Sequence, residues 1–195
     1  MVRTAEFEDH TFIQASLELI SLGGPGATTM AAIAKCAGAP TGSIYHRFPS
    51  RNALLGTVWH QALDSLTMAT TPALLQGDSQ GAVTALLDWA ESHPKEARLI
   101  LLYEESDLID GPLPEEIHKA IAARHRDLGT GLTALLAHKK KTLSAANLAL
   151  ANFAIFDGPI AAMKPLLRAK KAAMPLNTCR AAALACARTT LDLLE

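Results

Sequence analysis

Aromatic residues are scarce in this sequence, 5% of 195 positions, although 49% of the chain is hydrophobic. Strand-built sandwiches and barrels lean on aromatic and β-branched side chains. Alanine, abundant here in almost every segment, favours closely packed helices instead, so the expected class is all-α. Cysteine is sparse as well. The three residues are an odd number, and Cys179 and Cys186 would lie about 10 Å apart along a helix axis, beyond disulfide reach. They read as reduced packing residues. No run approaches the ~18 to 20 unbroken apolar residues of a membrane span. The N-terminal Glu6, Glu8 and Asp9 do not follow the basic-then-apolar order of a signal peptide, so a cytoplasmic location is expected.

Catalytic signatures are missing too. There is no glycine-rich phosphate loop, nucleophile elbow, zinc spacing or paired catalytic carboxylate, and the chain is expected to be neither an enzyme nor a cofactor carrier. His93, His118 and His125 invite a metal reading. His118 and His125 are seven apart, however, whereas helical ligand pairs sit three or four apart, so no metal is expected.

A formal net charge of -1 ordinarily argues against nucleic acid, because phosphate neutralisation supplies most non-specific affinity. The distribution argues otherwise. From Leu19 to Leu63 there is no carboxylate, while Lys35, Arg47 and Arg51 give the window a charge of +3 before its histidines are counted. The acidic cluster Glu104, Glu105, Asp107 and Asp110, which could answer a cationic ligand, and the basic run Lys139 to Lys141 read as solvated turns.

Hydrophobic spacing predicts a first helix from about Glu8 to Leu22, with Phe12, Ile13, Leu17 and Ile20 on one face, stopped by Gly23, Gly24, Pro25 and Gly26. Thr28 and Thr29 offer N-cap hydroxyls to a short helix whose Met30, Ile33, Ala34 and Ala37 share a face, and Gly38 ends it. After Pro40 a third helix spans Thr41 to Phe48. Two short helices joined by a glycine turn form a helix-turn-helix. A bridging helix from Ser50 past Leu66 buries Leu54, Leu55, Val58, Trp59, Ala62 and Leu66, with a break expected at Thr70, Thr71 and Pro72. Further helices are expected over Gln80 to Ser92, Pro94 to Tyr103, Glu115 to about His138, Ser144 to Leu167, with a kink at Gly158 and Pro159, and Asn177 to Leu194. The domain division is 1–52 for the helix-turn-helix, with the bridging helix to about 68, and 72–195 for a helical body.

A helix-turn-helix places its second helix in the ~12 Å major groove, while the first helix and the flanking turns hold phosphates. Here Ile44 and Phe48, four apart, face the core. Thr41, Ser43, Tyr45, His46 and Arg47 then present donors to the groove, Gly42 lets the backbone approach, and Arg51, Thr28 and Thr29 sit where phosphates are gripped. Arg47 could instead pair with a carboxylate on a neighbouring helix.

The segment GATTMAAIAKCAGAPTGSIYHRFPSRNALL, Gly26 to Leu55, resembles the N-terminal DNA-binding domain of the TetR family of bacterial repressors. The paired threonines, the Ile-Ala step, the glycine turn, the Gly-Ser-Ile-Tyr run closed by Phe48, and Arg51 before a leucine pair carry the resemblance. Two positions depart from it: many relatives have lysine at Thr41 and an aromatic residue or histidine at Arg47. The resemblance implies about nine helices, a homodimer on a pseudo-palindromic operator, dimerised through the last two helices, and release of DNA when a small molecule binds the body. Independently, Ala182, Ala183, Ala187 and Thr190 beside Leu184, Leu191 and Leu194 would allow close helix approach at such an interface. Trp59, Met68, Trp89, Tyr103, Phe153, Phe156 and Met163 are the candidates for lining an effector cavity, with core packing as their alternative. A dimer that binds DNA without a ligand, and a helical carrier or enzyme, are the competing expectations.

Overall fold

The computed structural model describes residues 8–168 and 175–195; among them every regular element is helical. Helix α1 (Asp9–Gly23) buries Phe12, Ile13, Leu17 and Ile20, the face its spacing predicts. Gly24, at φ 74°, ends it, and a single 3-10 turn (Pro25–Ala27) leads to α2 (Met30–Cys36). The turn after α2 is a Schellman motif: Gly38, at φ 66°, donates to the Lys35 carbonyl and Ala39 to that of Ala34. Helix α3 (Thr41–Tyr45) follows, then α4 (Arg51–Leu75), whose N-cap Ser50 accepts from the Ala53 amide at 3.1 Å.

The break expected at Thr70 to Pro72 does not occur, because α4 runs through Pro72 to Leu75. Thr67 and Thr70 are buried and return their hydroxyls to the helix, onto the carbonyls of Leu63 and Leu66. Leu74, fully buried, seats on Gly131 of the facing helix. Proline near a helix end forfeits one backbone bond, and burial on both sides of it holds the segment helical. The true stop is a second Schellman motif at Gly77, φ 75°, where Asp78 donates to the Ala73 carbonyl.

Helices α5 (Ser79–Ser92), α6 (Pro94–Leu102), the single turn α7 (Glu105–Leu108) and α8 (Glu115–His138) complete the next layer. Helices α9 (Ala145–Asn152) and α10 (Gly158–Arg168) are joined by a π turn over Phe153–Asp157, so 145–168 is continuous. The expected kink is thus absorbed by one widened turn placed just before the proline that cannot donate. This is the only helix among the described residues long and apolar enough to cross a bilayer, and it is packed as a core helix, with Ala151, Ala154, Ile155 and Met163 buried. Helix α11 (Leu176–Leu191) packs on α10 and α5, and Arg180 forks onto Asp88 and Glu91 of α5 at 2.6 and 2.5 Å. Those two carboxylates, Asp88 first, raise the Arg180 pKa above its ordinary value.

Two cores result. One gathers α1, α2, α3 and α4 as far as Leu63, and it also takes in Leu99, Leu108 and Ile121 from α6, α7 and α8. The other joins the rest of α4 to α5, α8 and the last helices. The register of α11 differs from expectation. Ala183, Ala187, Thr190, Leu191 and Leu194 are buried inside the subunit and Leu184 is half-buried, leaving Ala182 exposed. Small residues occupy both faces of α11, so its stripe is ambiguous until α5 and α10 select one. The outward face is Ala181, Ala182, Ala185, Thr189 and Leu193.

Candidate nucleic-acid interface

Helix α3 hangs from the first core by two side chains. Ile44 is fully buried, and Phe48 meets the Phe12 ring edge-on, with centroids 6.5 Å apart. The α-helix is shorter than the expected span, ending at Tyr45 with His46 as its cap. Arg47 and Phe48 continue as a turn, both amides donating to the Ile44 carbonyl, and Pro49 excludes a further helical turn. Thr41, Gly42, Tyr45 and His46 are exposed, Ser43 is half-buried, and Tyr45 keeps 55% of its surface. Five of the expected DNA-facing residues therefore share the outer side of one short helix and its cap.

The paired threonines divide. Thr29 is exposed and is the N-cap of α2, its hydroxyl accepting from the Ala32 amide at 3.1 Å. Thr28 is fully buried and donates to the Pro25 carbonyl, so its hydroxyl is turned away from any phosphate.

The arginines depart further from the sequence reading. Arg47 pairs with Asp9 of α1 at 3.3 Å, the alternative its position allowed. Arg51 folds inward: Nε donates to the Thr28 carbonyl at 2.9 Å, Nη1 to the Leu108 carbonyl at 2.9 Å, and Nη2 to the Pro25 carbonyl and Thr28 Oγ1 at 3.3 Å. Asp110 lies 3.9 Å from it. Two of the three cations in the +3 window are thus answered by carboxylates from outside it, and Lys35, exposed on α2, pairs with none among the described residues.

This arrangement gives a direct expectation. Asp9→Asn removes a partly exposed pair worth at most about 1 kcal/mol, so stability should barely change. Arg47 becomes available to phosphate, and binding to duplex DNA should tighten while the slope of log K against log salt steepens by about 0.9. Salt titrations of both chains check this; identical slopes would place Arg47 away from DNA.

The candidate effector-lining residues do not line one common cavity. Trp59 lies in the first core, while Trp89, Phe156 and Met163 lie in the second. Trp89 donates to Ser65 Oγ at 2.9 Å and stacks on His93. Tyr103 packs over Gly24, and Met68 and Phe153 are exposed. Core packing claims Trp59, Trp89, Phe156 and Met163, each of them buried. Of the candidates, only Met68 and Tyr103 line the open cavities among the described residues, and they line different ones. A separate cavity of about 580 Å³ is framed by Glu104, Glu105, Ile109, Leu113 and His118 over the α7–α8 loop. A groove of about 380 Å³ between α4 and α8 is lined by Met68, Thr71, Leu75, Arg124 and Asp127. Among the described residues no group of three His, Cys, Asp or Glu could hold a metal ion.

Sequence reading missed the residues that join head to body. Arg98 of α6 donates to the Ser21 carbonyl at 2.8 Å, and Lys95 pairs with Glu18. Asn52 donates to Asp110 Oδ1 and accepts from the Gly111 amide, both at 3.0 Å. Backbone carbonyls as partners leave no pattern in a sequence.

A short exposed helix is thus held by a helix-turn-helix on an all-helical body. Residues 12–58 match the family model described as bacterial regulatory proteins, tetR family. That segment is a TetR-family N-terminal domain, and the whole chain has the fold of solved TetR-family regulators. A TetR-family transcription regulator from Marinobacter aquaeolei VT8 shares 16% identity at a TM-score of 0.66, covering 91% of this chain and 94% of its own. The regulator FadR from Bacillus subtilis, solved in complex with stearoyl-CoA, shares 15% at 0.61, covering 95% and 97%. SmeT, the repressor of the Stenotrophomonas maltophilia multidrug efflux pump SmeDEF, shares 12% at 0.66, covering 97% and 91%. No curated protein matches the chain.

Proposed function

We propose that the chain is a cytoplasmic DNA-binding transcriptional regulator, a repressor released by a small molecule, acting as a homodimer and not as an enzyme. The observation that carries this reading is the outer side of α3, where Thr41, Gly42, Tyr45 and His46 are exposed while Ile44 and Phe48 anchor the helix from behind. Hydroxyl and imidazole groups on a helix narrow enough for the major groove meet a surface full of acceptors. Residues 1–52 would form the DNA-binding head, α4 the bridge, and 72–195 the body.

The dimer reading takes the last two helices, α10 and α11, as the interface, and the outward face of α11, with Ala181, Ala182, Ala185 and Thr189, is small enough for close helix packing. Effector release is supported by the likeness to FadR, which holds stearoyl-CoA, and to the repressor SmeT. The closed packing of Trp89, Phe156 and Met163 favours a second reading, DNA binding without a ligand, in which the body serves dimerisation alone.

The test is recovery of duplex DNA from a random-sequence pool by the full chain, followed by footprinting. The expected footprint has two half-sites related by two-fold symmetry, about one helical turn apart. Failure to recover any sequence above the input, at low and moderate salt alike, overturns the regulator reading. Shift of the unfolding temperature by any member of a small-molecule library, with loss of the footprint, separates the two readings.

A further inference from the structure

Arg51 occupies the position where the helix-turn-helix pattern expects a phosphate grip, yet every nitrogen of its guanidinium points into the protein. Its side chain is 28% exposed and is held by four oxygens from two distant segments: the Pro25 carbonyl, the carbonyl and hydroxyl of Thr28, and the Leu108 carbonyl. The first three belong to the turn that starts α2. The last closes α7, in the body. Asn52, the next residue, grips Asp110 and the Gly111 amide of the same loop. The loop also lies tight on α4: a Cβ on Gly56 would stand 2.6 Å from a Leu113 methyl, and one on Gly111 would stand 2.7 Å from the Asn52 amide.

We infer that Arg51 is a positioning residue, a strut by which the loop at 108–111 sets the pose of the helix-turn-helix, and not a DNA contact. Only a planar fork can reach the α2 turn and the Leu108 carbonyl at once; lysine, with one nitrogen, can satisfy one side. Because Ile33 and Ala34 of α2 and Ile44 of α3 share one core, a shift of the α2 turn carries α3 with it. Movement of the body loop is thereby converted into movement of the reading helix. The inference rests on the proposed DNA-binding function, and the experiment below separates the failure of one from the failure of the other.

The test compares wild type with Arg51→Lys, Arg51→Gln and Gly111→Val, the last altering the loop from the body side, where it bears on Asn52. Affinity for duplex DNA recovered by the wild-type chain is measured against salt, well below each unfolding temperature so that folded fractions match. All three variants should bind about tenfold more weakly or worse, with the wild-type salt slope. Hydrogen exchange should quicken at residues 25–32 in Gly111→Val, although the substitution lies in the body. A phosphate contact would behave otherwise: Arg51→Lys would bind like wild type, and Arg51→Gln would lower the slope by about 0.9. Either result, or wild-type affinity in Gly111→Val, overturns the strut. If the wild-type chain recovers no DNA, the regulator reading fails by itself. The exchange measurement then decides the strut alone, since unaltered protection at 25–32 in Gly111→Val overturns it.

Discussion

A Gly42→Glu chain should fold like wild type and lose DNA binding by at least about 100-fold, close to 2.7 kcal/mol. Gly42 lies in the first turn of α3, exposed, and a Cβ built there meets nothing within 4 Å. The protein itself therefore offers no steric objection. A carboxylate in a first helical turn is mildly favourable toward the helix dipole, and replacing glycine in a helix recovers about 0.5 to 1 kcal/mol of backbone entropy. Thermal unfolding should be level with wild type or slightly higher. Toward DNA the same side chain fills the close approach and sets a negative charge against phosphate. Gly42→Ala separates the two contributions, gaining the stability while losing affinity through bulk alone. Undiminished binding by Gly42→Glu would remove α3 from the interface altogether.

The largest loss of stability is expected from Phe48→Ala. Phe48 is 6% exposed, meets Phe12 edge-on, and together with Ile44 attaches α3 to the first core. Truncating a buried phenylalanine costs about 3 to 5 kcal/mol, out of a typical total of about 5 to 15. In a chain of this size each kcal/mol lowers the unfolding temperature by about 2 to 4 °C. A fall of roughly 6 to 20 °C should therefore appear in thermal unfolding followed by circular dichroism. Phe48→Leu, which keeps most of the apolar volume, should lose much less. A shift under a couple of degrees in Phe48→Ala would mean that α3 is not held by this side chain. Binding to DNA should weaken even where Phe48→Ala remains folded, because the groove-facing hydroxyls lose their backing.

Much of the head was legible before any coordinates. The apolar spacing of Phe12, Ile13, Leu17 and Ile20, the cap at Thr29, the left-handed Gly38 and the buried pair Ile44 and Phe48 are all local rules that hold in the fold. Misreadings arose wherever a local signal competed with distant packing. Pro72 reads as a stop, but Leu74 on Gly131 and the back-bonded Thr67 and Thr70 keep α4 helical to Leu75. In α11 small residues lie all round, and contacts with α5 and α10 chose the buried face. Trp89 and Phe156 were as suited to a cavity wall as to a core, and the closure of the body made them core.

Periodicity, caps and glycine turns act within a few residues, so the all-helical class, the helix-turn-helix and the outward side of α3 follow from local pattern alone. Where the charges go depends instead on how the fold brings distant segments together. A carboxylate-free stretch reads as a cationic face, yet Asp9 answers Arg47 from α1, and Arg51 turns inward onto the carbonyls of Thr28 and Leu108. An arginine's reach spans elements that lie far apart in sequence, and its backbone acceptors are common to every residue type, so its partner is set by the fold that brings them near.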